Sequence, residues 1–364
     1  MHKIAQIWDQ IQGSLFPRLE EIFEEALTEK TRQLVAVLEI LRIEESVPGR
    51  WTQRMGRRRK CRRALARAFV AKAVYNLTTT EHLIDKLRNQ PVLRRICGFE
   101  SRGDIPDAST FSRAFAEFAG SNLADKVHDA LVKTYLKERI IGHINRDSTA
   151  VNGREKPVKK EKVEKQPGKR GRPRKGEVRE PKEPTRLLRQ LDQTPEEALS
   201  EIPVRCDVGK KRDAKGNTYK WIGWKAHIDF GDRGLPLTVV TTAASVHDSQ
   251  LAIPMSRMTA AKVTALYELM DSAYDAKHIY DAIAALGHVA IIDKNDRGNG
   301  KVIEFDPATK RRYNERSTAE RGNSRLKDEF GLRHVRVKGH TKVHAHIMFG
   351  IIALFADQLL KIVT

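Results

Sequence analysis

The chain has 364 residues, 31% charged and 40% hydrophobic, enough for two or three domains with a sizeable core. Its 67 Lys+Arg against 47 Asp+Glu leave a formal net charge of +20, which points to a long polyanion as partner: nucleic acid first, a membrane surface second. No stretch reads as a membrane span, because the most apolar one, IMFGIIALFADQLLKIV at 347–363, is interrupted by Asp357, Gln358 and Lys361 and is expected to be a buried terminal helix.

The N-terminus, MHKIAQIWDQIQG, lacks the apolar region and cleavage site of a secretory leader. Cys61, Cys97 and Cys206 stand alone, without metal-ligand spacing or a disulfide framework, and fit a reducing cytoplasm. Residues 1–139 read as an all-helical domain. LEEIFEEALTEKTRQLVAVLEILRI, CRRALARAFVAKAVYNL and NLADKVHDALVKTYLKER all carry apolar residues at helical spacing. In IPDASTFSRAFAEFA, Asp107 or Ser109 is placed to cap a helix bearing Phe111, Phe115 and Phe118, and with a short helix before it the region resembles a helix-turn-helix. Upstream, RMGRRRKCRR makes Arg57, Arg58 and Arg59 candidates for phosphate contact, although a solvated basic face has the same composition.

From residue 140 to 364 the pattern changes. GHINRDSTAV reads as a strand, and WIGWKAHIDF and LPLTVVTTAAS as two more joined by the turn GDRG. TALYELMDSAYD is a strand ending in acidic residues, followed by a helix, AKHIYDAIAALG, and a strand, HVAIIDK. Strands first, then alternating helices and strands, predict an α/β domain: a mixed sheet flanked by helices. Into it is inserted a basic segment, residues 154–190, with 15 Lys+Arg against 6 Asp+Glu, expected to be flexible because it is rich in Pro and Gly and has no aromatic residue. Its centre, KRGRPRKG, resembles an AT-hook, in which Arg170, Arg172 and Arg174 would enter a narrow A·T-rich minor groove.

The stretch YNERSTAERGNSRLK at 313–327 is charged yet regular. At about 100° per residue, Arg316, Glu320 and Lys327 fall within about 60° of Tyr313, so the four share one polar face. Ala319, Leu326 and Phe330 form an apolar stripe roughly 80 to 120° away, which would seat the helix on a core. A solvated helix with i to i+4 ion pairs would look the same, so a functional reading needs acidic partners elsewhere. Asp147, a charge in an apolar strand, and Asp271, at the end of another, are the candidates. Three carboxylates suffice to hold two hard cations such as Mg²⁺, with Mn²⁺ as a substitute, and so to assist in-line attack on a phosphodiester. His340, His344 and His346 fit the final helix better than a zinc set, and Asp248 in SVHDSQ is an outside candidate beside a capped turn.

Together these residues resemble the DDE transposases of bacterial insertion sequences, in particular the IS4/IS5-like group. The pattern Tyr313-x2-Arg316-x3-Glu320-x6-Lys327 matches that group's signature at every fixed position, and GWKAHIDFGDRGLPLTVVTTAASVHDS is similar to the segment between its first two acids. The resemblance implies an RNase H-like domain over 140–364, with Asp147, Asp271 and Glu320 as catalytic metal ligands, Arg316 and Lys327 on DNA phosphate, and Tyr313 in support. It further implies Mg²⁺-dependent cleavage at the terminal inverted repeats, strand transfer into target DNA, a homodimer in the synaptic complex, no membrane, and a cytoplasmic, nucleoid-associated location in a prokaryote. One departure stands out. Better-known members carry a β-rich insertion between the second aspartate and the glutamate, whereas here the insert follows the first aspartate. A catalytically silent DNA-binding derivative and an RNase H-like host nuclease are the alternatives.

Overall fold

A computed structural model describes residues 2–47, 59–159, 183–212, 216–294 and 304–363. Helices come first. α1 (His2–Gln10) runs through a π-helical turn into α2 (Phe16–Phe23), and α3 (Glu29–Leu41) starts where the Thr28 hydroxyl accepts from the Thr31 backbone N–H. The alanine-rich α4 (Arg62–Val74) is followed by α5 (Thr80–Asn89), capped by Thr79, and α6 (Pro91–Cys97), which begins on a proline and ends at Gly98. α7 (Ala108–Gly120) is capped by Asp107, whose carboxylate accepts from Thr110 N at 2.8 Å, and α8 (Leu123–Leu136) completes the set. Phe111, Phe115 and Phe118 of α7 all turn inward onto Phe69 of α4, with ring centroids 5.0 to 6.2 Å apart. The aromatic stripe of α7 is therefore a core seam.

The chain then becomes a sheet: β1 (Ile140–Asn152), α9 (Arg186–Arg189), α10 (Pro195–Ser200), β2 (Asp207–Arg212), β3 (Thr218–Phe230), β4 (Pro236–Ala243), α11 (Ala252–Ala260), β5 (Thr264–Met270), α12 (Lys277–Ala285) and β6 (Val289–Ile292). The order across the sheet is β2-β3-β1-β5-β6, and β4 also pairs with β3. β3 is antiparallel to β1, β2 and β4, while β1, β5 and β6 run parallel. This is the mixed α/β sheet expected, and it is RNase H-like. The long β3 gives its first half to β2 and its second to β4. At the changeover Gly223 has φ 150°, and a Cβ there would meet the Val151 carbonyl oxygen at 2.1 Å.

The two faces of the sheet differ in character. One, carrying Asn145 and Asp147 of β1 and Ile228 and Phe230 of β3, is covered by α14 (Ser317–Asp328), which follows α13 (Pro307–Asn314). The other holds a buried polar network. Arg146 forms a two-pronged pair with Asp229 (2.7 and 2.8 Å), lies 3.4 Å from Glu268, and donates to Ser256 of α11 at 3.0 Å. Burial opposes the Arg146 charge, but Asp229 and Glu268 outweigh it and hold the guanidinium above its ordinary pKa.

Three expectations need correction. The segment 154–190, expected to be flexible throughout, is ordered at its end: Arg186–Arg189 form a helical turn, Arg189 pairs with Glu201 at 2.7 Å, and Gln190 is fully buried. The stretch 313–327 is two helices rather than one, because Glu315, Arg316, Thr318 and Ala319 each donate three residues back instead of four. The apolar stripe is nonetheless where the helical wheel puts it, with Ala319, Leu326 and Phe330 all buried. Finally, α15 (His340–Val363) is long and apolar enough to cross a membrane, yet 72% of that apolar window is buried in the protein. α15 packs against α3, α4, α7 and α8 as well as β4, so the last helix lies in the core begun by the first hundred residues.

Candidate active site

The positions of Asp147 and Asp271 follow from strand register. The parallel ladder runs from Ile140 opposite Thr264 to Asn145 opposite Leu269, and two more steps along both strands bring Asp147 level with Asp271. Neighbouring strands lie about 4.8 Å apart and side chains alternate faces, so the two carboxylates share a face where β5 has ended and β1 continues. Asp271 is extended and its carboxylate accepts from Ala273 N at 2.9 Å, capping the turn Ser272–Tyr274.

Both aspartates are held above their ordinary pKa by burial. Burial pushes the Asp147 carboxyl above its ordinary pKa; the Ser148 N–H, Lys211 and Arg316 oppose the shift, and Asp271 adds to it. Burial likewise raises Asp271, with Asp248 contributing and Arg316 and Lys211 opposing. From α14 the Asn323 amide donates to Asp147 at 3.0 Å. The side-chain oxygens of Asn323 and of Asn145, which lies on the same face as Asp147, are buried acceptors without a donor. Buried carboxylates beside orphan carbonyl oxygens are a donor set that suits a hard, oxygen-loving divalent cation.

Glu320 stands on the exposed side of α14, and Arg316 holds it at 2.8 Å across one helical turn. Among the described residues no three acidic, histidine or cysteine side chains are gathered closely enough to grip a metal ion. The two aspartates are therefore near enough to act on each other, and Glu320 does not join them. The reason is Arg316: burial opposes its charge, but Tyr313, Glu320, Asp147 and Asp271 all act to keep it protonated, so it sits within the field of the three acids. Tyr313 neighbours it, with the guanidinium 5.8 Å from the ring centroid. Burial pulls Lys327 below its ordinary pKa, aided by Arg333 and Lys211 and opposed by Asp147. Tyr313, Arg316 and Lys327 of the polar face thus act on the aspartates, while Glu320 is tied to Arg316.

Asp248 closes the site from the opposite face of the sheet. Burial alone would raise its pKa; His227, Lys225 and a hydrogen bond from Ser148 outweigh that and lower it. The Lys225 ammonium is 2.8 Å from Asp248 and 2.9 Å from the Val246 carbonyl. The turn at Asp248 is capped as expected, and the cap is His247, whose ring accepts from Ser249 N. Several residues here were not singled out from the sequence: Asn323, Lys211, Lys225 and the Arg146 network. Only Arg146 had a visible signal, as a second charge beside Asp147 in an apolar strand.

The remaining candidates lie elsewhere. Arg59 is exposed on the approach to α4, and Arg57, Arg58, Arg170, Arg172 and Arg174 fall outside the described residues. Each of the three C-terminal histidines bonds within the fold: His340 to the Thr241 carbonyl, His344 to Asp125 and the Thr241 hydroxyl, and His346 to the Gly331 carbonyl.

The mixed sheet flanked by helices is the fold of nucleic-acid-processing enzymes of the DDE class, and the family comparison agrees. The family described as Transposase DDE domain matches residues 147–356, well over half the sequence, and the chain belongs to it. That match starts at Asp147 and ends within α15. A second one, to a Transposase domain (DUF772), spans residues 19–117 of the helical region. No curated protein and no solved structure matches the chain.

Proposed function

We propose that this transposase cleaves DNA at the ends of an IS4/IS5-like insertion sequence and transfers the freed strands into target DNA, with Asp147, Asp271 and Glu320 as its catalytic acids. The observation that carries the reading is the pair of aspartates held above their ordinary pKa by burial, level on adjacent strands, facing the helix that bears Glu320. Asp147, Asp271 and Glu320 would hold Mg²⁺ or Mn²⁺, which when bound activates water or a 3′-hydroxyl and steadies the departing oxygen.

The chain's own residues do the rest. Asn323 fixes the rotamer of Asp147 through its 3.0 Å hydrogen bond. Arg316 and Lys327 grip a phosphate next to the scissile bond, and Tyr313 buttresses the guanidinium. A phosphate that takes Arg316 releases Glu320 from its ion pair, so DNA binding itself completes the set of acids. The helices of residues 1–139 and the basic insert supply contacts to double-stranded DNA, and two copies bridge the two element ends as a homodimer. The protein acts on the nucleoid in the cytoplasm of a prokaryote.

The test uses purified protein, Mg²⁺ and duplexes carrying the element's own ends. The wild type nicks or joins these duplexes, whereas Asp271→Asn and Glu320→Gln bind them without cutting. Millimolar Mn²⁺ raises the melting temperature of the wild type and not of Asp147→Asn. Undiminished cutting by both acid variants refutes the assignment.

A further inference from the structure

A cavity of about 230 Å³ lies between the helical region and the chain that leaves α14. Five phenylalanines, Phe69, Phe111, Phe115, Phe330 and Phe349, form its apolar wall. Three lysines, Lys72, Lys338 and Lys342, also line it, and no carboxylate does. Lys72 is half-buried, and loss of water lowers its ammonium pKa to about 8 against weak opposition from Glu81. His346 adds no charge: burial pushes it down to about 4, and its Nε2–H donates to the Gly331 carbonyl.

Size and chemistry together define the occupant. A dry apolar cavity of roughly 150 Å³ accepts benzene, and pockets for drug-sized molecules start at about 300 Å³. The space here suits one ring with a short arm. An aromatic wall with cations on one side favours an arm that is anionic, since an anion there restores the charge balance that burial takes from Lys72. A nucleobase fits poorly, because the lysines can only donate and, beside them, the side chains of the lining offer just Thr80, Ser112 and the already engaged His346 to satisfy its polar edges. We infer that this cavity is a binding site for a small aromatic carboxylate, with the ring among the phenylalanines and the carboxylate on the lysines. Phe330 and Gly331 directly follow α14, so the ligand would rest against the chain leaving the helix that carries Glu320.

The experiment is calorimetric titration of the full chain with phenylacetate, and with its neutral isostere phenylacetamide as the control for charge. The inference expects phenylacetate to bind at least about tenfold more tightly than the amide, and Lys72→Met and Lys342→Met each to weaken it about tenfold. Ser112→Phe, which fills the space from an exposed position on α7 and leaves the lysines intact, abolishes binding. Equal affinity for acid and amide overturns the inference. So does an unchanged affinity in Lys342→Met or Ser112→Phe protein whose circular dichroism is that of the wild type.

Discussion

Gly322 sets how closely α14 can approach the sheet. A Cβ at this position would lie 2.5, 2.6 and 2.9 Å from ring atoms of Phe230, which is fully buried in β3. The shortest of these falls about 0.9 Å inside ordinary 3.4 Å contact, so Gly322→Ala must push the helix outward or tilt the ring. Overpacking costs about 1–3 kcal/mol, while replacing glycine inside a helix returns about 1 kcal/mol. The net loss is thus at most about 2 kcal/mol, a fall of several degrees in melting temperature. Activity is expected to suffer far more, because α14 carries both the proposed catalytic Glu320 and Asn323, and displacement of a catalytic group by about 1 Å can cost roughly 100-fold. The assay is metal-dependent nicking of end-bearing duplex alongside thermal unfolding, on Gly322→Ala, Phe230→Leu and the double variant. The double variant should recover much of the lost rate, since the smaller side chain makes room for the new methyl group. Wild-type rate and stability in Gly322→Ala would refute the seating of α14 on Phe230.

The same architecture makes further predictions. Arg146→Met leaves Asp229 and Glu268 buried without their partner and should cost about 3–5 kcal/mol in denaturant unfolding, far more than a surface arginine. Arg316→Ala removes the cation holding Glu320, so Mn²⁺ affinity measured without DNA should rise severalfold while DNA cleavage falls; a drop in both would contradict the release of Glu320 by DNA. His128, His227 and His346 are each pushed down to about 4 by burial, below the 6.5 of the unfolded chain. The unfolded state therefore binds protons first, and stability should be intact above pH 6.5 and fall as pH drops toward 4. Urea midpoints between pH 7.5 and 5 check this, and His128→Gln should flatten the slope.

Much of this organisation was legible in the sequence because it rests on local patterns. The strands bearing Asp147 and Asp271 announce themselves through β-branched and apolar runs, and Asp107 is a readable helix cap. The stripe of Ala319, Leu326 and Phe330 follows from helical period alone. β2 was not foreseen, since DVGKKR has no apolar alternation and owes its place to pairing with β3. The break between α13 and α14 was missed because every residue there has helical dihedrals and only the hydrogen-bond spacing changes. Lys211 acts on the aspartates from β2, a strand placed by pairing with β3, and Asn323 reaches Asp147 through helix packing, neither of which any spacing along the chain encodes. The i to i+4 spacing of Arg316 and Glu320 was plain, but which partner the arginine would choose depends on the field of two aspartates brought near it by folding.

The return of α15 into the opening helices has a consequence for synthesis. The helices α3, α4, α7 and α8 cannot close their core until α15 has been synthesised, so a nascent chain that stops short of residue 340 lacks the seam that holds them together. The helical core is thus sealed only once α15 has been made.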